Sequence, residues 1–294
     1  MKMGKVKTSG DEPKKPQGGK GKNQEIDLSN LPERRAMENV LADIFGSRRR
    51  NPVDQAQEVM YQAWEATSKK KRVTLAQKAL EISPDCADAY CLLAEETAKL
   101  PQQALDLYQK GVQAGERALG KKAFKEYEGS FWGFLETRPY MRARAGLAQC
   151  LWEIGRRKEA VEHYQDMLRL NPNDNQGIRY ELMTCLIELG RDQEAEVLFK
   201  HYKNDGMAAW VYSRALLDFR KSGDNRKSQK SLAAAIKDNP HIPAFLLGLT
   251  KMPRYLPPYY GWGDENEAIL YVHENLGAWK ATPGALEWLA ARVK

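Results

Sequence analysis

Residues 142–203 read RARAGLAQCLWEIGRRKEAVEHYQDMLRLNPNDNQGIRYELMTCLIELGRDQEAEVLFKHYK, and the second half of the stretch repeats the grammar of the first. Leu147, Ala148, Leu151, Gly155, Ala160, Tyr164, Met167 and Pro172 mark one unit, and Leu182, Met183, Leu186, Gly190, Ala195, Phe199 and Tyr202 mark the next. Gly155 and Gly190 stand 35 residues apart, as do Ala160 and Ala195. Apolar residues at helical spacing on both sides of a glycine predict two antiparallel helices per unit. Neither helix of such a pair can bury its apolar face alone, so successive pairs must stack.

Working outward, Pro172 and Pro240 are 68 residues apart, two repeat lengths, which places a further unit on Tyr212, Ala215, Leu216, Phe219, Gly223, Leu232 and Ala235. Upstream, Ala56, Val59, Met60, Ala63, Ala76, Ala79 and Pro84 form a first unit, and Tyr90, Leu93, Ala94, Ala104, Tyr108 and Gly111 a second. Lys69–Arg72 is expected as the solvated turn inside the first unit. Pro84 and Pro172 lie 88 residues apart, about 20 more than two repeats of ~34 residues require. An insertion is therefore expected near residues 115–140. It contains GERALGKK, Gly115 to Lys122, which lacks the hydroxyl residue and the preceding strand of a phosphate-binding loop. The aromatic run Phe131, Trp132, Phe134 and Tyr140 reads as packing.

The spacing is similar to that of tetratricopeptide repeats. The expected fold is all-α: a right-handed solenoid of about five such helix pairs over residues 53–240, closed by a helical cap over 241–294. Within the cap, Pro253–Gly263 is expected as an irregular loop. Asp264 and Glu267 resemble a capping box that opens a helix reaching about Leu276, and Thr282–Pro283 begins a last helix. Residues 1–30 are expected as a disordered basic tail, because residues 1–28 offer almost no large apolar side chain to offset ordering entropy. An amphipathic capping helix is expected over residues 31–47.

Of 294 residues, 46 are Lys or Arg and 39 Asp or Glu, a formal charge of +7. Residues 1–50 hold 12 of those cations and 7 of the anions, so the rest is nearly neutral. Charge alone thus makes nucleic-acid binding through the basic N-terminal region the alternative reading, not the leading one. Cys86, Cys91, Cys150 and Cys185 form no CxxC pair and have no His at metal spacing; they read as small buried side chains, and no metal or cofactor is expected. No stretch approaches the ~20 apolar residues that span a bilayer, and a reducing cytoplasm is the expected compartment. The sequence carries no HExxH, GxSxG or complete GxGxxG motif, so an uncharacterised enzyme is the lesser alternative.

The strings AYCLLAEETA (89–98), RARAGLAQC (142–150), GRRKEAV (155–161), NPHIPAFLLG (239–248) and GDENEAILYVHENLGAW (263–279) together resemble the suppressor-of-tumorigenicity-seven family. The resemblance covers most of residues 53–290 and implies no catalytic residues. Animal members of that family look like membrane proteins with apolar N-terminal segments, which this basic, hydrophilic N-terminus does not match. Likeness to tetratricopeptide repeats implies that first helices line a concave wall. It places Arg142, Gln149, Trp152, Tyr180, Thr184, Trp210, Ser213 and Arg220 there, where a peptide or partner protein would bind.

Overall fold

The computed structural model describes residues 51–293; the expected tail at 1–30 and the expected helix at 31–47 lie outside them. Among the described residues there are thirteen α-helices and no strand. The first ten pack as adjacent pairs: α1 (Pro52–Glu65) with α2 (Lys69–Ile82), α3 (Ala87–Thr97) with α4 (Pro101–Glu126), α5 (Arg138–Glu153) with α6 (Arg157–Leu170), α7 (Ile178–Glu188) with α8 (Asp192–His201), and α9 (Ala208–Ser222) with α10 (Arg226–Asp238). Three more helices follow, α11 (Ile242–Leu246), α12 (Glu265–Ala281) and α13 (Ala285–Ala290).

Local chemistry sets these boundaries. Asn51 accepts from the Asp54 N–H at 2.8 Å while Asp54 accepts from the Asn51 N–H at 3.1 Å, a reciprocal cap, and Pro52 follows at the first helical position. Ser68 caps α2, so Lys69–Arg72 form its first turn and the interhelical turn is only Ala66–Ser68. This shifts the turn expected at Lys69–Arg72. Arg72 then reaches Glu96 on α3 at 2.5 Å and the carbonyls of Ala66 and Thr67. Gly155 and Gly190 adopt left-handed conformations, φ 84° and 68°, just past α5 and α7, which is why glycine recurs with the period.

The lengthened second unit is mostly helix. α4 runs for 26 residues and bends at Gly120, whose φ is 67°; GERALGKK lies along it. At Gly115 an added Cβ would stand 2.8 Å from Tyr140 Cβ, so the glycine lets α4 and α5 approach closely. Two single 3₁₀ turns, Phe131–Gly133 and Leu135–Thr137, complete the connection. Phe131 is buried against Phe124 and Tyr140, with ring centroids at 5.1 and 6.0 Å. The four cysteines are free and buried.

At the C-terminal end, Asp264 accepts from the Glu267 N–H at 2.8 Å and opens α12, which continues to Ala281, five residues beyond the expected Leu276. Burial of Asn275, Ala278 and Trp279 carries the helix on. The last helix starts at Ala285 after left-handed Gly284 and ends before Val293. α12 packs across α7 and α9 as well as α11, so it lies over the first helices of the last two pairs.

Candidate functional site: the inner wall and its aromatic rim

First helices of stacked pairs line the inner face of such an array. Here α1 packs against α3, α3 against α5, and α7 against α9. The near end of the wall is stitched by one buried carboxylate. Asp88 on α3 is fully buried and accepts from Arg142 on α5, Nε at 2.7 Å and Nη2 at 2.5 Å, and from Gln57 Nε2 on α1 at 2.9 Å. The same guanidinium lies 5.5 Å from the Trp64 ring centroid. Arg142 therefore holds three helices together and is committed to the fold.

The other seven residues expected on the wall divide by environment. Gln149 is exposed on α5 and donates to Glu153 at 3.3 Å. Trp152 is half-buried beneath Arg157, whose guanidinium is 4.8 Å from the ring centroid. Tyr180 is also half-buried and donates its hydroxyl to Asp205 at 2.8 Å.

Thr184, Trp210, Ser213 and Arg220 are not available on an open wall. Trp210 is 3% exposed and packs edge-on to Tyr180, Phe199 and Tyr202, so it belongs to the core. Ser213 is 1% exposed and hydrogen-bonds Tyr271 of α12. Thr184 hydrogen-bonds Asn275 of the same helix, Oγ1 to Oδ1 at 3.0 Å. Arg220 donates to the Ile187 carbonyl at 2.6 Å and pairs with Asp192 at 3.1 Å, closing the C-terminus of α7. The physical reason is common to these positions: α12 and the neighbouring pair already cover them.

What the sequence reading missed is three exposed carboxylates with raised pKa values, on α3, α7 and α12. Glu95 holds the same place in its repeat as Gln149 and Thr184, which is the signal that could have found it. Glu95, Glu181 and Glu274 are all solvent-accessible, yet protein surrounds them enough to raise their carboxyl pKa values. For Glu95, burial acts together with the like charges of Asp88 and Glu96. For Glu181 burial alone raises it. Glu274, on α12, is pushed up to about 7 by burial and by the charge of Glu181 on α7.

An aromatic loop leads into α12. Of the nine large hydrophobic side chains exposed among the described residues, six lie between Leu249 and Trp262, so most of the exposed large apolar side chains described are in this loop. Tyr255 and Tyr259 are each 76% exposed and Trp262 is 69% exposed. The loop is nevertheless pinned: Gly261 N–H donates to Asp264 at 2.6 Å, Gly263 N–H to Glu267 at 2.8 Å, and Asn266 to the Tyr259 carbonyl at 3.2 Å. Trp262 lies against Gly206, where a Cβ would come within 2.7 Å of the ring. Tyr260 is less exposed than Tyr255, Tyr259 and Trp262, and burial raises its phenol pKa, as do the charges of Glu267 and Glu274.

On the opposite side, a cavity of about 720 Å³ opens between α4 and α6 and is lined in part by Arg117, Lys121, Tyr140, Arg144, His163 and Asp166. Arg144 is held there by Tyr140 at 2.7 Å, by His163 Nδ1 at 3.1 Å and by Asp166, and burial with that guanidinium lowers the His163 pKa. Among the described residues no group of three or more His, Cys, Asp or Glu is placed to hold a metal ion, and no helix is long and apolar enough to cross a membrane.

A family model described as "ST7 protein" matches residues 45–293. Similar curated proteins include "Suppressor of tumorigenicity 7 protein-like" of Bos taurus, 30% identical over 257 residues, covering 79% of this chain and 45% of that protein. "Protein ST7 homolog" of Drosophila melanogaster is 28% identical over 259 residues, covering 79% and 47%. "Suppressor of tumorigenicity 7 protein" of Macaca fascicularis is 28% identical over 282 residues, covering 80% and 52%. The chain spans about half the length of the curated relatives it matches. A solved structure described as "YrrB: a TPR protein with an unusual peptide-binding site" aligns with TM-score 0.45 and 19% identity, over 63% of this chain and 84% of that one.

Proposed function

This chain belongs to the ST7 protein family, and from that premise we propose that it is a non-enzymatic scaffold holding a peptide segment of a partner protein on its inner wall. The observation that carries the reading is the unequal cover of that wall. Over α7 and α9 the chain lays its own helix α12, with Tyr271 and Trp279 buried. Over α3 and α5 no described element lies in the same place, and Glu95, Gln149 and Trp152 face outward or partly so. A surface that packs one helix in cis has the spacing to receive another segment beside it.

Affinity on such a surface comes from a few desolvated contacts, not from area alone. The test is a comparison of tagged wild type with Glu95→Arg/Gln149→Arg on the wall and Lys158→Glu/Glu162→Lys on exposed positions of α6. Proteins that co-purify are identified by mass spectrometry, after all three proteins are shown to melt alike. The reading predicts a partner lost from the wall variant and kept by the α6 variant. A partner kept by the wall variant contradicts it.

A further inference from the structure

We propose that residues 256–260, LPPYY, are a docking segment read by another protein, one whose aromatic-lined groove takes a proline pair followed by a tyrosine, as WW domains do. The inference goes beyond the inner-wall reading and stands without it, because here the chain is the ligand and not the receptor.

Composition points to the kind of groove. From Tyr255 to Gly263 the chain reads YLPPYYGWG, nine residues without a charge. Within it Pro257, Pro258, Tyr259 and Tyr260 stand in the order Pro-Pro-x-Tyr. A groove built for two prolines three residues apart is not served, since the loop's prolines lie at 253, 257 and 258. Lys251 and Arg254 precede the stretch, Arg254 lying 5.4 Å from the Tyr255 ring centroid, and Asp264, Glu265 and Glu267 follow it. Those charges offset one another, so the loop has no net attraction for phosphate or an anionic bilayer.

The backbone points the same way. Both ends of the loop are anchored: the Leu249 and Thr250 N–H groups donate to the Ala244 carbonyl at 2.8 and 3.1 Å, and Asn266 donates to the Tyr259 carbonyl at 3.2 Å. Among the described residues no hydrogen bond reaches the backbone of residues 251–258, so its carbonyls are open to a partner. Each proline fixes its own φ and holds the residue before it extended, which makes Leu256, Pro257 and Pro258 a stiff ridge that loses little entropy on docking. The chain bends at Pro258, and with no backbone hydrogen bond holding that bend a groove can straighten it. In polyproline II geometry three residues make one turn, which puts Pro257 and Tyr260 on one side, about 9 Å apart, and Tyr259 on another. Both tyrosines are exposed, Tyr259 at 76% and Tyr260 at 47%.

The experiment titrates the full-length chain into a labelled WW domain selective for Pro-Pro-x-Tyr, and into a labelled SH3 domain, and follows fluorescence anisotropy. Co-sedimentation with phosphatidylcholine vesicles carrying phosphatidylserine, and gel filtration for self-association, run alongside. Wild type is compared with Pro257→Ala/Pro258→Ala, Tyr260→Ala, Tyr259→Ala and Glu95→Arg/Gln149→Arg. The proposal predicts saturable binding of the WW domain, weakened about tenfold or more by the first two variants and less than about twofold by the last two. That order separates recognition from general stickiness, because Tyr259 is the more exposed tyrosine. Absence of binding by wild type overturns the proposal, as do equal losses from Tyr259→Ala and Tyr260→Ala, or equal affinity for the SH3 domain. Vesicle binding or self-association abolished by Tyr259→Ala overturns it too, making the loop a lipid contact or a self-contact. Matched melting curves check the fold; if Tyr260→Ala melts early, the proline variant decides, since Pro258 is exposed and Pro257 donates no hydrogen bond.

Discussion

Arg142 gives the Nε–Nη2 edge of its guanidinium to Asp88, and that pair decides how it should be treated experimentally. Its spacing in the repeat makes it a wall residue, yet a fully buried carboxylate 54 residues earlier claims it. No local pattern announces such a partner. Asp88→Ala leaves Arg142 beside an apolar gap and Gln57 without its acceptor. Breaking a buried pair this way costs about 3–5 kcal/mol, so the urea midpoint should fall accordingly; a loss under about 1 kcal/mol would mean the pair is a surface bridge in effect. Glu274 makes a different claim. The folded protein holds its proton more tightly than the unfolded chain does, so stability declines as pH rises from the ordinary carboxyl value of about 4.3 towards about 7. Glu274→Gln removes that decline. Its melting temperature should match wild type near the low end of this window and exceed it at pH 8; no gain at pH 8 would contradict the burial of Glu274 beside Glu181.

At the scale of elements, α12 explains why Thr184 and Ser213, expected on the groove wall, are covered. Its opening was legible, since Asp264 and Glu267 stand three apart and the cap forms. Its destination was not. Thr184 and Asn275 meet across 91 residues, and Ser213 meets Tyr271, contacts that periodicity within a repeat cannot encode. Trp210 was ambiguous for a related reason: a tryptophan at a first-helix position serves a groove or a core equally well in one dimension. Only the convergence of Tyr180, Phe199 and Tyr202 places it in the core. Trp279 anchors α12 with its side chain fully buried and its indole donating to Tyr271 at 2.8 Å. Trp279→Ala should cost about 3–5 kcal/mol. It should also speed amide exchange in α7 and α9, which α12 covers. Unaltered exchange there would mean that α12 is an appendage.

For the molecule as a whole, the repeat was readable because its markers are forced by backbone geometry. Gly155 and Gly190 recur where the chain turns left-handed after a first helix, and small residues such as Ala160 and Ala195 recur where paired helices touch. The carboxylates were harder to see, since Glu95, Glu181 and Glu274 come from three separate helices and only stacking surrounds them with protein. The account's central claim is that a partner segment lies on the uncovered inner wall beside α12. Hydrogen exchange on the purified protein, with and without a partner segment identified through the wall-dependent co-purification, tests it most directly. The account predicts slower exchange in α3, α5 and α7, with α4, α6 and α8 unchanged. Protection confined to α4, α6 and α8 would contradict it.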